Sequence, residues 1–232
     1  MPRLLGPNET HLWTAALDGR DTSIALLDSE ERKRADRFNR PRPRADFIRT
    51  RTILRRLLAG YLERDPAGLV FTLGPHGKPT LLGTGLQFNA SHSGNCLTIA
   101  VRWHVAVGVD VEGQRDVANV LAIARRFFAP AEANQIEALP AARQPDAFRA
   151  LWTLKEAIVK AAGEALAYHL DRIEGALEAD GLARFVAWHG MDEAWQNWSV
   201  FSFCPSPGFT ATLATKSPSQ PPRLLPWDDT DF

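Results

Sequence analysis

Hydrophobic and polar residues follow two different periods along this chain, and the change of period predicts where strands and helices lie. Residues 11–17 (HLWTAAL) have the pattern of a first strand. Residues 28–38 begin with the cap and the acidic first turn of a helix. Over residues 45–63 the apolar positions largely recur at intervals of three and four, which is typical of a helix with one buried stripe. The composition of residues 74–79 (GPHGKP) then predicts a turn.

The pattern changes to strands in the middle of the chain and later returns to helices. Residues 97–102 and 105–112 are predicted strands that pair as a hairpin, although Trp103 and His104 between them are not favoured turn residues. The remaining predicted elements are helices at 117–128 and about 145–165, and strands at 183–188, 198–203 and 209–214. Residues 217–232 are rich in proline and acid, so we expect them to be disordered or to lie over the surface.

This order of elements predicts an α+β fold with two parts of similar size. We divide the chain into an N-terminal half at 1–104, a C-terminal half at 105–216 and a proline-rich tail at 217–232. A length of 232 residues with 45% hydrophobic content is enough to fill the cores of one large or two small domains.

The chain also lacks the sequence features of a membrane or secreted protein. No stretch approaches the roughly 20 apolar residues of a membrane helix, and the first residues lack an apolar signal region. Cys96 and Cys204 cannot build a disulfide framework and have no partner at zinc-binding spacing. We therefore expect a cytoplasmic protein in which both cysteines are small core residues.

Charge is balanced over the whole chain but not locally. The 27 basic and 27 acidic residues cancel, which argues against general nucleic-acid binding. Residues 32–56, however, contain eleven basic residues and only two acidic ones, a local excess of nine positive charges. A cluster of arginines suits a polyanionic ligand such as a nucleotide phosphate, although a solvated helix face accounts for most of these side chains.

Two acidic residues share one face of the predicted strand at 105–112. Alternation along a strand directs the four valines to one side, and Asp110 and Glu112 to the other. The two carboxylates would stand about 6.5–7 Å apart and repel one another. A divalent cation would remove this repulsion, but a strand that runs out into solvent fits the same pattern.

A second candidate site lies on the predicted helix at about 145–165. Trp152, Glu156 and Lys160 recur every four residues and therefore lie along one helix face. An ordinary surface ion pair between Glu156 and Lys160 would contribute only a few tenths of a kcal/mol. Such a pair does not explain a tryptophan on the same stripe.

A third candidate is the segment 88–94 (FNASHSG), in which small and polar residues surround a histidine. A turn or strand end of this composition can direct backbone amides and hydroxyl groups, including that of Ser91, toward a ligand oxygen. His92 can equally be structural. The segment lacks the glycines of a nucleophile elbow, which argues against a serine hydrolase.

Three segments together resemble the signature motifs of Sfp-type 4′-phosphopantetheinyl transferases, and they occur in the same order. These segments are 88–93 (FNASHS), 108–112 (GVDVE) and 152–160 (WTLKEAIVK), with 77–79 (GKP) similar to a further family element upstream. Many relatives follow the last lysine with Gly-x-Gly-Leu, whereas this chain has Gly-Glu-Ala-Leu at 163–166.

The resemblance implies two pseudo-symmetric halves that bind coenzyme A in the cleft between them. It also implies transfer of the 4′-phosphopantetheine group to a serine of an apo acyl or peptidyl carrier protein, with release of 3′,5′-ADP. Magnesium prefers oxygen ligands, so Asp110, Glu112 and Glu156 are the predicted metal ligands. Because enzymes of this length resemble two fused copies of a half-length, trimeric relative, we expect a monomer.

The resemblance also assigns roles to further residues. The predicted cofactor-binding residues are Arg51, Gly77, Lys78, Ser91, His92, Lys155 and Lys160, with Lys78 and Arg51 assigned to the 3′-phosphate. The predicted catalytic residues are His92, Glu156 and Lys160, with Glu156 as the candidate general base.

The helix predicted at 117–128 is a candidate docking surface for an acidic carrier helix. Arg125 and Arg126 lie near its end beside two phenylalanines. The alternative is a plain core stripe formed by Val120, Ile123 and Phe127.

Two other classes of function are alternatives to a 4′-phosphopantetheinyl transferase. Another magnesium-dependent nucleotide enzyme, such as a kinase or nucleotidyl transferase, lacks support because the chain has no GxxxxGK[ST] loop and no kinase signature. A non-catalytic module that binds nucleic acid or carrier proteins would have no use for the acidic residues.

Overall fold

The computed structural model describes residues 4–19, 23–114, 119–164, 170–190 and 193–229. Strands and α-helices share this part of the chain, which confirms the α+β class. The strands are β1 (His11–Ala16), β2 (Phe71–Leu73), β3 (Pro79–Leu81), β4 (Leu86–Ser93), β5 (Cys96–Trp103), β6 (Val107–Gly113), β7 (Ile173–Leu177), β8 (Ala183–Trp188), β9 (Ser199–Phe203), β10 (Phe209–Thr215) and β11 (Arg223–Pro226). The α-helices are α1 (Ser29–Asp36), α2 (Pro41–Leu62), α3 (Val120–Phe127), α4 (Pro130–Glu137) and α5 (Gln144–Ala162).

Two separate sheets organise these strands. One has the order β11-β1-β5-β4 and the other the order β6-β10-β9, so β4 and β6 are edge strands of different sheets. Two hairpins, β2-β3 and β7-β8, lie outside them. No helix among the described residues is both long enough and apolar enough to cross a membrane.

Helices α1 and α2 begin where local chemistry favours a helix start. The Asp28 side chain accepts a hydrogen bond from the Glu31 amide, and the Glu31 side chain accepts one from the Asp28 amide, which is the predicted cap. Helix α2 starts at Pro41, four residues before the predicted start. Prolines are tolerated there because the first turn of a helix leaves its amide groups unpaired.

The predicted hairpin between residues 97–102 and 105–112 is wrong. Strand β5 is hydrogen-bonded to β1 on one side and to β4 on the other, so it has no free edge for a third partner. The chain turns at His104, which has a left-handed backbone (φ 60°), and then passes to the other sheet, where β6 pairs with β10.

Helix α5 lies directly against β6, and Gly108 makes this close approach possible. The valines at 107, 109 and 111 are buried on one face of β6, as predicted. On the other face, a Cβ atom at Gly108 would lie well inside van der Waals distance of backbone atoms of Ala157 and Ala161. The acidic face of the strand is therefore covered by a helix and does not run out into solvent.

The C-terminal segment forms an edge strand, although its composition predicted disorder or a loose surface segment. Strand β11 pairs in parallel with β1. Beyond it, Trp227 packs edge-on against Trp13 (6.1 Å between ring centroids), and Asp229 forms an ion pair with the buried Arg49. These contacts attach the tail to the first sheet.

Several other details differ from the sequence-based expectations. Helix α4 and strands β2, β3, β4 and β7 were not predicted. Cys96 is buried as expected, but Cys204 is exposed. The buried residues of α3 are Val120 and Ala124, followed by Phe128, so Phe127 is not part of the core stripe and its side chain is exposed. Residues 117 and 118 of the predicted docking helix, and residues 165 and 166 of the unusual loop, lie outside the described residues.

A buried ion pair joins α4 to α5. The Lys155 ammonium lies 2.6 Å from a Glu132 carboxylate oxygen, and both side chains are fully buried. The same ammonium donates to the carbonyl oxygens of Leu170 (2.7 Å) and Ile173. Burial raises the pKa of Glu132 and lowers the pKa of Lys155, while the attraction between the two charges opposes both shifts.

The close packing at Gly108 can be tested by adding one methyl group. We expect Gly108→Ala to lower the free energy of unfolding by about 1–3 kcal/mol, because α5 must move away from β6. Gly68→Ala is the control, since its new Cβ would have a nearest neighbour at 3.9 Å. Urea unfolding measures both variants, and equal stabilities would contradict the proposed contact.

The ion pair can be tested by removing its cation. We expect Lys155→Met to cost about 3–5 kcal/mol, because the variant leaves the Glu132 charge buried and unpaired. Lys33→Met, which breaks the exposed pair with Glu30, should cost less than about 1 kcal/mol. An unchanged unfolding transition in Lys155→Met would show that the buried pair does not stabilise the fold.

Candidate active site

The two sheets meet at their edge strands, β4 and β6, through side chains. The Asn89 side-chain oxygen accepts a hydrogen bond from the Val109 amide at 2.8 Å, and Asn89 is itself buried. Asn89, Ser91 and Ser93 alternate along β4 and therefore face the same side. All three side chains bind β6, so the polar residues of the 88–93 segment act as connectors between the sheets.

The two serines bind the two acidic residues of β6. Ser91 donates its hydroxyl hydrogen to Asp110 Oδ1 at 2.7 Å. Ser93 donates to Glu112 Oε2 at 2.8 Å and accepts from the Gly113 amide at 3.1 Å. The hydroxyl groups thus orient both carboxylates from the neighbouring sheet.

Asp110 is the most deeply buried carboxylate of this group, with 3% of its surface exposed. Its Oδ1 atom accepts hydrogen bonds from Ser91 and Lys160, whereas its buried Oδ2 atom has no hydrogen-bond partner among the described residues. Burial raises the pKa of Asp110 to about 7 against the lowering effect of Lys160, and the Glu156 carboxylate adds to the rise. Oδ2 is therefore an oxygen available to a cation.

Lys160 lies between two carboxylates. Its ammonium is 2.6 Å from Asp110 Oδ1 and 3.2 Å from Glu156 Oε2, and it donates to the Ser91 hydroxyl at 3.3 Å. Burial by itself lowers the pKa of Lys160. The Asp110 and Glu156 carboxylates together raise it by more, so the pKa lies above its ordinary value. The ammonium therefore remains charged at neutral pH.

The predicted metal ligands are only partly gathered around one point. No group of three acidic, histidine or cysteine residues within the described ranges is arranged as a ready metal site. Lys160 stands between Asp110 and Glu156, while Glu112 lies two residues further along β6. The donor set still suits magnesium, because it consists of carboxylate oxygens and includes Asp110 Oδ2, which no described residue binds.

His92 and Gly77 occupy exposed positions. His92 alternates with Ser91 and Ser93, so it points away from β6, and its side chain is exposed. Gly77 forms the turn between β2 and β3 with a left-handed backbone (φ 79°), and a Cβ atom added at this position would have no neighbour within 4 Å. Both residues are accessible to a ligand.

Lys78 does not point into open space. Its amine donates to the backbone carbonyls of Val107 (2.9 Å), Lys160 (2.6 Å) and Ala161 (3.5 Å). Burial lowers the pKa of Lys78 to about 8, and the nearby Lys216 charge adds to this shift. The amine therefore has backbone partners, and its contact with the 3′-phosphate stays a prediction.

Two other predicted cofactor ligands are also engaged elsewhere. Arg51 forms an ion pair with Glu31 and stacks over the Phe71 ring at 4.4 Å. Lys155 is enclosed in the buried ion pair with Glu132. Neither cation contacts the carboxylates of β6 and α5, and both already have protein partners, so their phosphate contacts stay predictions.

Sequence reasoning missed three contributors to the site. Asn89 and Ser93 were not assigned roles, although their alternation with Ser91 could have indicated a shared face. The third is Arg42, which donates to the Asn95 side chain at 3.4 Å and so brings the start of α2 to the β4–β5 turn. No sequence signal indicates that long-range contact.

The chain is similar in sequence to one enzyme family. A model of the 4′-phosphopantetheinyl transferase superfamily matches residues 106–214, which include β6 and α5. The chain is 34% identical over 215 residues to the 4′-phosphopantetheinyl transferase HetI of Nostoc sp., covering 89% of this chain and 87% of that relative. It is 32% identical over 162 residues to a 4′-phosphopantetheinyl transferase of Bacillus subtilis, covering 69% and 71%.

A more distant relative shows the same relationship. The 4′-phosphopantetheinyl transferase Sfp of Bacillus subtilis is 27% identical over 159 residues, covering 68% of this chain and 70% of the relative. Because the similarity to HetI extends along most of both chains, and the family model includes Asp110, Glu112, Glu156 and Lys160, the chain belongs to the 4′-phosphopantetheinyl transferase superfamily and is an enzyme of this class.

Proposed function

We propose that this enzyme transfers the 4′-phosphopantetheine group of coenzyme A to a serine of an apo acyl or peptidyl carrier protein, with magnesium as cofactor. The observation that carries the proposal is the buried Asp110 carboxylate beside Lys160 and Glu156, one oxygen of which has no hydrogen-bond partner in the described part of the chain. Coenzyme A would bind between the halves formed by residues 1–104 and 105–216, where β4 meets β6.

The acidic residues have two proposed roles, metal binding and proton transfer. Asp110, Glu112 and Glu156 would hold magnesium, which supplies neutralising charge to pyrophosphate oxygens when bound. Glu156 is our candidate to accept the proton of the carrier serine. As the serine oxygen bonds to the phosphorus that carries pantetheine, the bond from this phosphorus to the bridging oxygen breaks. That oxygen leaves with 3′,5′-ADP.

Lys160 would stabilise the charge of the transferring phosphoryl group, and His92, which points away from β6, is a proposed contact to coenzyme A. The Lys160 ammonium is already oriented by two carboxylates and a hydroxyl, so it needs little reorganisation. His92 projects from the exposed side of β4, beside Ser91 and two residues before Gly94. We propose that Gly77 and Ser91 also lie at the cofactor.

We assign the 3′-phosphate of coenzyme A to a cationic surface other than Lys78 and Arg51. Arg40 and Arg44 line a cavity of about 530 Å³ at the start of α2, and Arg37 lines another of about 380 Å³ nearby. The contact between Arg42 and Asn95 supports a position for this surface near the end of β4. We therefore propose these arginines, in place of Lys78 and Arg51, for the anionic end of the cofactor.

A carrier protein with an acidic helix would dock on the outer face of α3. Arg125 is exposed and pairs with Glu137 (2.5 Å), and Arg126 lies over the exposed Phe127 ring at 5.0 Å. Charge and an accessible aromatic ring are thus adjacent on one surface. We expect the enzyme to act as a monomer, which light scattering can test.

The metal role of Asp110 can be tested with an isosteric variant. Asp110→Asn should lower magnesium-dependent transfer on the order of 100-fold, because it removes one anionic ligand while keeping the side-chain shape. Mass spectrometry of an apo carrier protein, incubated with coenzyme A and magnesium, measures the transfer. Glu30→Gln, which affects an exposed pair with Lys33, should retain activity. Near-normal turnover of Asp110→Asn would refute the assignment.

The docking surface can be tested kinetically. Replacing Arg125 and Arg126 together by alanine should raise KM for the carrier about three- to tenfold and weaken its salt dependence. KM for coenzyme A should stay nearly constant. Arg184→Ala, which breaks another exposed pair, is the matched control. An equal rise in KM for the carrier and for coenzyme A would contradict a specific role of these arginines in carrier recognition.

A further inference from the structure

The Lys78 amine connects three elements that are far apart in sequence. Lys78 directly precedes β3. Its amine donates to the carbonyl of Val107 in β6 and to the carbonyls of Lys160 and Ala161 in α5. An ammonium group has three hydrogen atoms to donate, and these three carbonyls can accept all of them. The amine is therefore directed at backbone carbonyls, with its two shortest contacts to Val107 and Lys160.

The contacts supply partners to the end of α5. The last four carbonyl groups of an α-helix have no amide partner within the helix, and a cation at this end also complements the helix dipole. Helix α5 ends at Ala162, and Gly163 follows with a left-handed backbone (φ 75°). Lys78 therefore caps the turn of helix that carries Lys160.

The same amine also fixes the strand that carries the metal-site carboxylates. Val107 is the first residue of β6, three residues before Asp110. By holding the Val107 and Lys160 carbonyls together, Lys78 sets the distance between the strand and the helix end. The ion pair between Lys160 and Asp110, at 2.6 Å, spans the same gap.

We propose that Lys78 is a positioning residue for the transfer reaction, which holds the end of α5 against β6 so that the Lys160 ammonium stays beside Asp110. This role rests on the proposed function, because it assigns Lys160 to the transferring phosphoryl group. It predicts that loss of the amine impairs the chemical step and leaves recognition of the 3′-phosphate intact.

Kinetic measurements with coenzyme A and with dephospho-coenzyme A distinguish a positioning role from phosphate binding. Lys78→Met keeps an unbranched apolar side chain that is one atom shorter and removes the donors. We expect kcat to fall about tenfold, KM for coenzyme A to change less than about twofold, and the preference for coenzyme A over dephospho-coenzyme A to stay as in the wild type. Lys78→Arg, which keeps charged donors, should recover part of kcat.

Lys216 provides a matched control at the same helix end. Its exposed amine donates to the Ala162 carbonyl at 3.2 Å. Because this contact does not reach β6, Lys216→Met should keep the wild-type kcat. An equal loss in Lys216→Met, a selective loss for coenzyme A over dephospho-coenzyme A in Lys78→Met, or an unchanged kcat in Lys78→Met would overturn the proposal.

Hydrogen exchange tests the same role without the reaction. The Gly163 and Glu164 amides both bond to the Val159 carbonyl at the end of α5. These amides should exchange faster in Lys78→Met, while amides of β1 keep their rates. Unchanged exchange at the end of α5 overturns the positioning role even if wild-type enzyme proves not to use coenzyme A. If Lys78→Met does not fold, Lys78→Gln, which shortens the side chain and removes its charge, is judged by the same exchange and kinetic ratios.

Discussion

The burial of the Asp110 carboxylate between β6 and α5 is the constraint on which the rest of this structure depends. A buried charge is costly unless it is paired and hydrogen-bonded. Here the Lys160 ammonium and the Ser91 hydroxyl both bind one oxygen of Asp110. These contacts require the helix to lie close to the strand, and Gly108 permits that approach because it has no side chain.

The side chains that join the two sheets also bind carboxylates of the site. Strands β4 and β6 belong to different sheets, so no backbone ladder holds them together. Side chains of β4 replace the ladder, and two of them, Ser91 and Ser93, bind Asp110 and Glu112 directly. The contacts that join the two parts of the fold are therefore also the contacts that orient the predicted metal ligands, so stability and function are coupled at this edge.

Helix α5 carries two lysines with opposite roles. Lys155 and Lys160 are five residues apart, which corresponds to a rotation of roughly 140° around the helix axis. One ammonium consequently enters the core and pairs with Glu132, whereas the other reaches the carboxylates of the site. Helical geometry alone separates the two directions, but a lysine can be buried there because Glu132 on α4 and the carbonyls of Leu170 and Ile173 surround its ammonium. The sequence motif contains both lysines without distinguishing them.

The sequence by itself determined the α+β class, the face shared by Asp110 and Glu112, and the alignment of Glu156 with Lys160, because these follow from periods of 2 and 3.6 residues within single elements. Tertiary structure decided which sheet each strand joins, where the tail packs, and that the amine of Lys78 meets backbone carbonyls. Those outcomes depend on contacts between residues about 30 to more than 200 positions apart. Local patterns carry no information about such partners, since a strand edge or a lysine amine can bind any acceptor that the fold brings within reach.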